Sequence, residues 1–401
     1  MPPSLPVMNG LLQVLTKRVC LAIALLAGSA LQAGEPTPLV ERALAAAGSN
    51  RKQLEAALAG APAGQRRGVE YLISHMPAGD LTNLTAEYLL ENVRLAYQAW
   101  HEARWKESIS EAVFLNEVLP YASINERRDR WRADFHERFA PLVKEATTAS
   151  EAAALLNQNV FKILGVKYST KRSKPDQSPY ESMETGMASC TGLSIILVNA
   201  CRAVGVPARF AGTPRWSDNS GNHSWVEIWD GRWRYTGAAE PTGDELDKGW
   251  FAARAAKAKR DDAQHAIYAT SFKRTPQHFP LVWRPEAKDV FAINVTDRYT
   301  TSATPLPEGS IRVRLRVVGA YGERIAARIA IVDATGEQTF DGQTKDERFD
   351  ANDHTTVILT RGSKYTVTLP DLAGALSHPF QADDDGQLIT LQYPTAKAGN
   401  N

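Results

Sequence analysis

The chain has 401 residues, of which 43% are hydrophobic and 23% charged, so the composition is globular and the length predicts two or three domains. Lysine and arginine (46) nearly cancel aspartate and glutamate (45). This balance excludes a strong net field that would select nucleic acid or an anionic lipid surface as partner.

The first 33 residues depart from the average composition. Lys17 and Arg18 precede the apolar run 19–27, and small residues follow as far as Ala33. This order predicts a secretory signal peptide over 1–33 and hence a periplasmic or secreted protein that does not span a membrane after cleavage. The alternative is an uncleaved anchor, but the apolar run is well short of the roughly 20 residues that cross a bilayer.

The region 38–165 is predicted to form an α-helical N-terminal domain. Its apolar residues recur at helical spacing, as between Leu81 and Tyr97. Pro120 is expected to end one helix and Trp131 to begin another.

The region 166–300 mixes helical and strand patterns, with an apolar helix over 190–204 and strands near 207–212, 222–229 and 232–237. Beyond a proline-marked linker, the sequence alternates with period two over 311–317, and short strands separated by glycine and aspartate follow. This spacing predicts a β-sandwich over 308–396.

Cys190 and Cys201 are the two cysteines that follow the predicted cleavage site. Eleven residues apart on one helix, they lie roughly 16 Å apart along its axis, whereas the Cα atoms of a disulfide lie within about 7 Å. Ser189 as N-cap places Cys190 in the first turn, where unpaired N–H groups and the helix dipole favour a thiolate. Cys201 lies deeper among apolar residues, where a thiol is inert. Cys190 is therefore the candidate nucleophile, the alternative being two inert buried thiols.

His223 begins an alternating strand that places Trp225, Glu227 and Trp229 on its own face. The Asp-Gly pair at 230–231 predicts a two-residue hairpin turn in which Trp229 pairs with Arg232.

Extended outward, this register places His223 opposite Ala238, with Glu240 diagonal to it within about 7–8 Å. A carboxylate there can fix the imidazole tautomer while the other ring nitrogen faces the thiol. The sequence therefore predicts a triad of Cys190, His223 and Glu240.

The order of these segments resembles the transglutaminase-like superfamily. The cysteine is followed by Arg-Ala-Val-Gly-Val-Pro-Ala-Arg at 202–209, His-Ser-Trp-Val-Glu at 223–227 and Asp-Gly-Arg-Trp at 230–233. The resemblance covers about 180–251, and it implies a papain-like α+β core over 166–300 in which cysteine, histidine and an acid act in that order.

One element departs from the family pattern, which places the acid in Trp-x-x-x-Asp-Pro. Here Gly237 stands four residues after Trp233, and the acid-proline pair is Glu240-Pro241. The stretch 237–251 and the segment 114–132 are similar to bacterial exported transglutaminase-like proteins with a helical N-terminal region. The C-terminal strands resemble a carboxypeptidase-regulatory-like or prealbumin-like module.

The resemblance implies cysteine-dependent acyl transfer on an amide, without a cofactor. Cys190 would attack the carbonyl to form a thioester, and His223 would protonate the leaving amine. The Cys190 backbone N–H and a second donor, for which Gln177 and Tyr180 are candidates, would stabilise the oxyanion. Hydrolysis of a peptide, protein or cell-wall amide is favoured over crosslinking because water is the default acceptor. The alternative is a catalytically inactive module that binds a glycan or peptide.

For each of three further features, a purely structural interpretation stands beside a functional one. Trp216 and Trp225 are candidates for lining a substrate cleft, although aromatic residues of a hairpin more often belong to a core. Asp383-Asp384-Asp385 could bind calcium but is typical of a solvated turn. The histidines show no metal-ligand spacing, so no metal site is predicted.

Overall fold

The computed structural model describes residues 37–301, 305–372 and 376–394. It has a helical N-terminal region, a mixed core and C-terminal sheets, which confirms the predicted α+β class. The predicted signal peptide lies outside the described residues. Among the described residues, no helix combines the length and the apolar character needed to cross a membrane.

Every regular element from 38 to 164 is helical. Thr85 and Thr148 each cap a long helix by accepting a backbone N–H from its first turn, and Gly165 ends the second helix in the left-handed conformation (φ 67°). The α-helices are Pro38–Ala46, Arg51–Gly60, Arg66–His75, Ala78–Asn83, Ala86–Glu102, Glu111–Val113, Trp131–Phe139 and Ala149–Leu164. Short 3-10 turns lie at Gly48–Asn50, Ala63–Gln65, Lys106–Ser108 and Ala140–Val143, and a π-helical turn lies at Phe114–Val118.

A six-stranded sheet and a buried helix form the mixed core. The helix Cys190–Ala203 packs against the sheet on one side and the N-terminal helices on the other, and every residue from 191 to 203 is buried. The strands of this region are β1 Lys167–Tyr168, β2 Met187–Ala188, β3 Ala208–Thr213, β4 His223–Asp230, β5 Arg232–Thr236, β6 Tyr268–Ser271, β7 Gln277–His278 and β8 Phe291–Asn294. The sheet order is β5-β4-β3-β6-β8-β7, and β1 and β2 form a separate parallel pair. The other helices of this region are Pro179–Thr185, Ala252–Ala255 and Thr296–Thr300.

The β4–β5 hairpin differs from its predicted register by one residue. Trp229 pairs with Trp233 rather than with Arg232, because Gly231 alone forms the tip, with a φ of 69°. Pairing with β5 ends at Val226, so the predicted position of His223 opposite Ala238 is wrong.

Two four-stranded sheets form the C-terminal region. Their strands are β9 Ser310–Val318, β10 Arg324–Ile325, β11 Arg328–Asp333, β12 Gln338–Gln343, β13 Thr355–Thr360, β14 Lys364–Leu369, β15 Leu376–Gln381 and β16 Gln387–Gln392. One sheet has the order β10-β9-β13, with β16 parallel to β9, and the other has the order β12-β11-β14-β15. The apolar residues of the alternating strand β9 are buried, and they share one core cluster with residues of the second sheet. The loop 344–354, which joins β12 to β13, reaches the core.

Candidate active site

Cys190 is the first residue of the buried core helix, as the sequence predicts. The Ser189 hydroxyl accepts the backbone N–H of Gly192 at 3.1 Å and donates to the carbonyl of Pro175 at 2.7 Å. Cys190 is half-buried, whereas the rest of its helix is fully covered. The thiol therefore lies at the positive end of the helix dipole and within reach of solvent.

Cys201 lies in a different environment. It is fully buried, and burial raises the pKa of its thiol far above the usual value of 9.0. A thiol that stays protonated and covered is unreactive.

His223 begins β4 inside a cluster of aromatic rings. Its strand neighbour on β3 is Thr213, and its side chain is buried. The ring centroids of Trp250, Phe251 and Trp216 lie 4.7, 5.0 and 6.2 Å from that of the imidazole. These rings restrict the orientation of the imidazole and keep water away from its faces.

Glu240 reaches His223 through a turn and not through strand pairing. Its Oε2 lies 3.7 Å from Nε2 of His223. The turn is tied to the N-terminal helices, since Asn157 donates to the carbonyl of Gly237 at 2.8 Å and accepts the N–H of Ala239 at 2.9 Å. A Cβ atom on Gly237 would lie 2.0 Å from Oε2 of Glu240. The glycine in the family's acid position therefore leaves room for the carboxylate that follows three residues later.

Asp350, a buried residue of the loop 344–354, is the acid that the sequence does not predict. Its Oδ2 lies 3.5 Å from Nδ1 of His223. The Cys190 sulfur, a ring nitrogen of His223 and a carboxylate oxygen of Asp350 all lie within 4.8 Å of one another. Thiolate, imidazole and carboxylate are also the ligands that Zn²⁺ prefers, so these three are the residues that could hold such an ion.

The loop that carries Asp350 is attached to the core by two hydrogen bonds. The backbone N–H of Ala351 donates to the Tyr168 hydroxyl, and the Asn352 side chain donates to the carbonyl of Asn222, both at 2.9 Å. From the other side, Arg324 donates to the carbonyl of Asp350 at 2.9 Å. The position of Asp350 is therefore fixed by both regions of the protein.

The charges of His223 and Asp350 stabilise each other. Burial alone would lower the pKa of His223, but the negative charges of Asp350 and then Glu240 outweigh it and raise this pKa well above 6.5. Burial would raise the pKa of Asp350, but the positive charge of His223 and hydrogen bonds from the backbone and side chain of Asn352 lower it. The geometry therefore favours an imidazolium beside a carboxylate.

Neither predicted oxyanion donor has a side chain free for that role. The Gln177 amide donates to the carbonyl of Glu181 at 3.3 Å and the hydroxyl of Thr185 at 3.2 Å. The Tyr180 hydroxyl lies 3.3 Å from the carbonyl of Arg130. Gln177 immediately precedes the N-cap of the helix Pro179–Thr185 and Tyr180 lies in its first turn, so both side chains are already used in attaching that helix.

Tyr168, which no sequence pattern singles out, is a further candidate donor. It lies on β1 and pairs with Ala188, two residues before Cys190. Burial chiefly, and then the charges of Asp350 and Cys190, raise the pKa of its hydroxyl. Because that hydroxyl accepts its hydrogen bond from Ala351, its own proton remains available to a ligand.

The two predicted cleft tryptophans differ. Trp225 is fully buried, and its Nε1 donates to the Tyr299 hydroxyl at 2.7 Å, so its predicted place in a cleft is wrong. Tyr299 lies on the helix Thr296–Thr300, and its ring packs edge-on against that of Trp225 with 5.4 Å between the centroids. Trp216 lines a cavity beside His223.

Residues 137–254 match the family model of the transglutaminase-like superfamily. No curated protein matches the sequence.

Three solved structures show distant similarity. A putative cysteine protease from Cytophaga hutchinsonii is 14% identical (TM-score 0.24), the Bacillus anthracis TIE protein 12% (0.17) and a Streptococcal ancillary pilin 13% (0.15). The match covers 28% of this chain and 40% of the protease, 47% of this chain and 30% of the TIE protein, and 46% of this chain and 60% of the pilin. This chain therefore spans less than two thirds of each of those chains. Because these structural similarities are distant, the assignment rests on the family model alone. That model identifies residues 137–254 as a transglutaminase-like superfamily domain.

Proposed function

We propose that the protein is an exported, cysteine-dependent enzyme that transfers the acyl group of a peptide, protein or cell-wall amide, with water as the usual acceptor. One observation carries the proposal. A half-exposed thiol at a helix start lies beside a buried histidine whose positive charge is stabilised by carboxylates. That arrangement supplies a nucleophile and a proton donor in the same place.

The reaction begins with attack of the Cys190 sulfur on the amide carbonyl, which forms the C–S bond and places negative charge on the oxygen. The backbone N–H of Cys190 and the hydroxyl of Tyr168 stabilise this oxyanion. As the C–N bond breaks, His223 protonates the leaving amine. Water then attacks the thioester, His223 takes a proton from it, and the C–S bond breaks to release the acid.

Glu240 and Asp350 have different places in this scheme. Glu240 lies on Nε2 and fixes the orientation of the ring, which leaves Nδ1 for the thiol and the reacting groups. Asp350 lies on Nδ1 itself. Its negative charge stabilises the imidazolium.

Turnover of a library of soluble peptides, followed by mass spectrometry, tests the enzyme hypothesis. We expect cleavage by the wild type and by Cys201→Ala, and none by Cys190→Ala. Equal turnover by Cys190→Ala would contradict the proposal, and binding without turnover in all three would support the inactive binding module. A tagged primary amine in the same reaction identifies the acceptor, because tagged product indicates crosslinking rather than simple hydrolysis.

Export is tested on the full chain expressed in a bacterium. The proposal predicts a mature protein outside the cytoplasm whose N-terminus follows Ala33. A cytoplasmic protein that retains residues 1–33 would contradict it.

A further inference from the structure

A cavity of about 490 Å³ lies between the core and the C-terminal sheets, next to His223. Trp216 and Trp250 line it, and the rings of the same two residues pack against the imidazole. Asn352, which neighbours the loop residue Asp350 and binds the core, lines it as well. Cys190 and His223 are not among the described residues that line the cavity, so a group bound there would lie one indole ring away from the imidazole. The volume is that of a small-molecule site.

The lining of the cavity is cationic. Five cationic side chains form ion pairs with three acidic ones, which leaves a net charge of +2. His354 adds no charge near neutral pH, because burial and then nearby arginines lower its pKa to about 3. The cations are Arg254, Lys257, Arg312, Arg314 and Lys345, and the acids are Asp218, Asp353 and Asp385.

Several buried nitrogen atoms of the lining residues lack a partner. Among the described residues, none forms a hydrogen bond with Nη1 of Arg254, Nε1 of Trp216, Nε1 of Trp250 or Nδ1 of His354. The first three can only donate, and a neutral imidazole can donate as well. Because a buried donor without an acceptor is costly, these four would each be stabilised by a ligand rich in acceptor oxygens.

Arg254 contributes both to the positive charge of the lining and to its unpaired donor atoms. Its guanidinium lies over the Trp216 ring, 4.6 Å from the ring centroid, and its Nη2 donates to Asp218 at 2.9 Å. The aspartate fixes one side of the guanidinium and leaves Nη1 for another acceptor. A carboxylate matches such a planar donor, because it offers two acceptor oxygens and a negative charge.

We propose that this cavity binds a carboxylate of the substrate, so that the protein acts on amides that lie close to an acidic side chain or a free carboxyl terminus. The inference rests on the proposed function for its catalytic meaning, but the binding itself requires no chemistry at Cys190.

Three nearly isosteric probes test the inference on the full-chain Cys190→Ala variant. N-acetylglutamine carries an α-carboxylate, N-acetylglutamate α-amide carries a side-chain carboxylate, and N-acetylglutamine amide is neutral. Calorimetry or tryptophan fluorescence should show at least one acid binding about tenfold more tightly than the neutral probe. The preferred acid identifies the source of the carboxylate, and equal affinity for all three probes would overturn the inference.

A variant pair locates the binding. Arg254→Gln should weaken the favoured acid about tenfold and leave the neutral probe unchanged, whereas Arg328→Gln, a matched charge change on an exposed arginine outside the cavity, should alter neither. A salt titration of the unmutated cavity adds a measurement that does not depend on the folding of a variant. The affinity for the acid should fall as ionic strength rises, and an affinity that salt does not change would count against the inference.

The two proposals can fail separately. Acid binding without any turnover in the wild type would overturn the proposed function alone. Turnover of neutral and acidic amides at equal rates would overturn the inferred substrate class alone.

Discussion

Oδ2 of Asp350 lies 3.5 Å from Nδ1 of His223, although Asp350 belongs to a loop of the C-terminal region and His223 to the core. Since Glu240 lies 3.7 Å from Nε2, the imidazole has a carboxylate at each ring nitrogen. The C-terminal region therefore contributes directly to the electrostatics of the candidate active site.

The first prediction is that Asp350→Asn lowers the pKa of His223. The wild-type pKa is raised well above 6.5 with the help of the Asp350 charge, and an opposite charge at this distance is worth about 1–3 pH units. NMR titration of the imidazole signals measures the change. Asp341→Asn, which removes a carboxylate that pairs with Arg328 rather than with the imidazole, is the matched control. An unchanged pKa in Asp350→Asn would show that the contact has no electrostatic effect.

The second prediction concerns stability and pH. Asp350 has a lowered pKa, so its contribution is present above its usual value of 3.8 and is lost as the pH falls through the folded value. His223 has a raised pKa, so its contribution is complete below 6.5 and is lost as the pH rises through the folded value. Between pH 3.8 and 6.5, Asp350→Asn should lower the free energy of unfolding by roughly 1–4 kcal/mol.

Denaturant unfolding of wild type and Asp350→Asn across the pH range measures this difference. It should shrink toward both ends of the range. A difference that does not vary with pH would mean that the loss comes from packing rather than from the charged pair.

The third prediction is that Gly237→Ala reduces turnover by up to about 100-fold, because the new Cβ would displace the Glu240 carboxylate from His223. Steady-state kinetics with any peptide that the wild type cleaves measures the effect. Gly79→Ala is the control, since nothing lies within 4 Å of a Cβ at that position. Full activity of Gly237→Ala, with the protein folded, would exclude Glu240 as the residue that orients the histidine.

The fourth prediction is that Tyr168→Phe lowers kcat roughly 100-fold with little change in KM, because an oxyanion donor acts chiefly in the transition state. Tyr321→Phe removes the same hydroxyl from a residue that is 96% exposed and should have no effect. A rise in KM with an unchanged kcat would instead assign Tyr168 to substrate binding or to attachment of the loop 344–354.

The parts of the site that the sequence predicts are encoded locally. Ser189 as N-cap and the apolar helix that follows place Cys190 at a helix start, and the alternating strand places His223 at the start of β4. The position of Cys190 depends on residues within one or two helical turns, and that of His223 depends on residues along one strand. Neighbouring side chains alone determine such features.

The parts that the sequence does not predict depend on tertiary structure. The hairpin register changes because the tip uses Gly231 alone, a choice between turns that an Asp-Gly pair leaves open. Alternation places Trp225 on the correct face but does not reveal that Tyr299 covers it. Asp350 lies in a polar loop that resembles a solvated turn, and only the packing of the sheets against the core brings it to His223.

The central claim is that Cys190 and His223 form a reactive pair, and the rate of thiol alkylation tests it most directly. Iodoacetamide at neutral pH, with the modified residue identified by mass spectrometry, should modify Cys190 faster than a model thiol with a pKa of about 8.5, and Cys201 only after unfolding. His223→Ala should slow the reaction of Cys190 to the rate of the model thiol. A Cys190 that reacts no faster than the model thiol in the wild-type protein would contradict the claim.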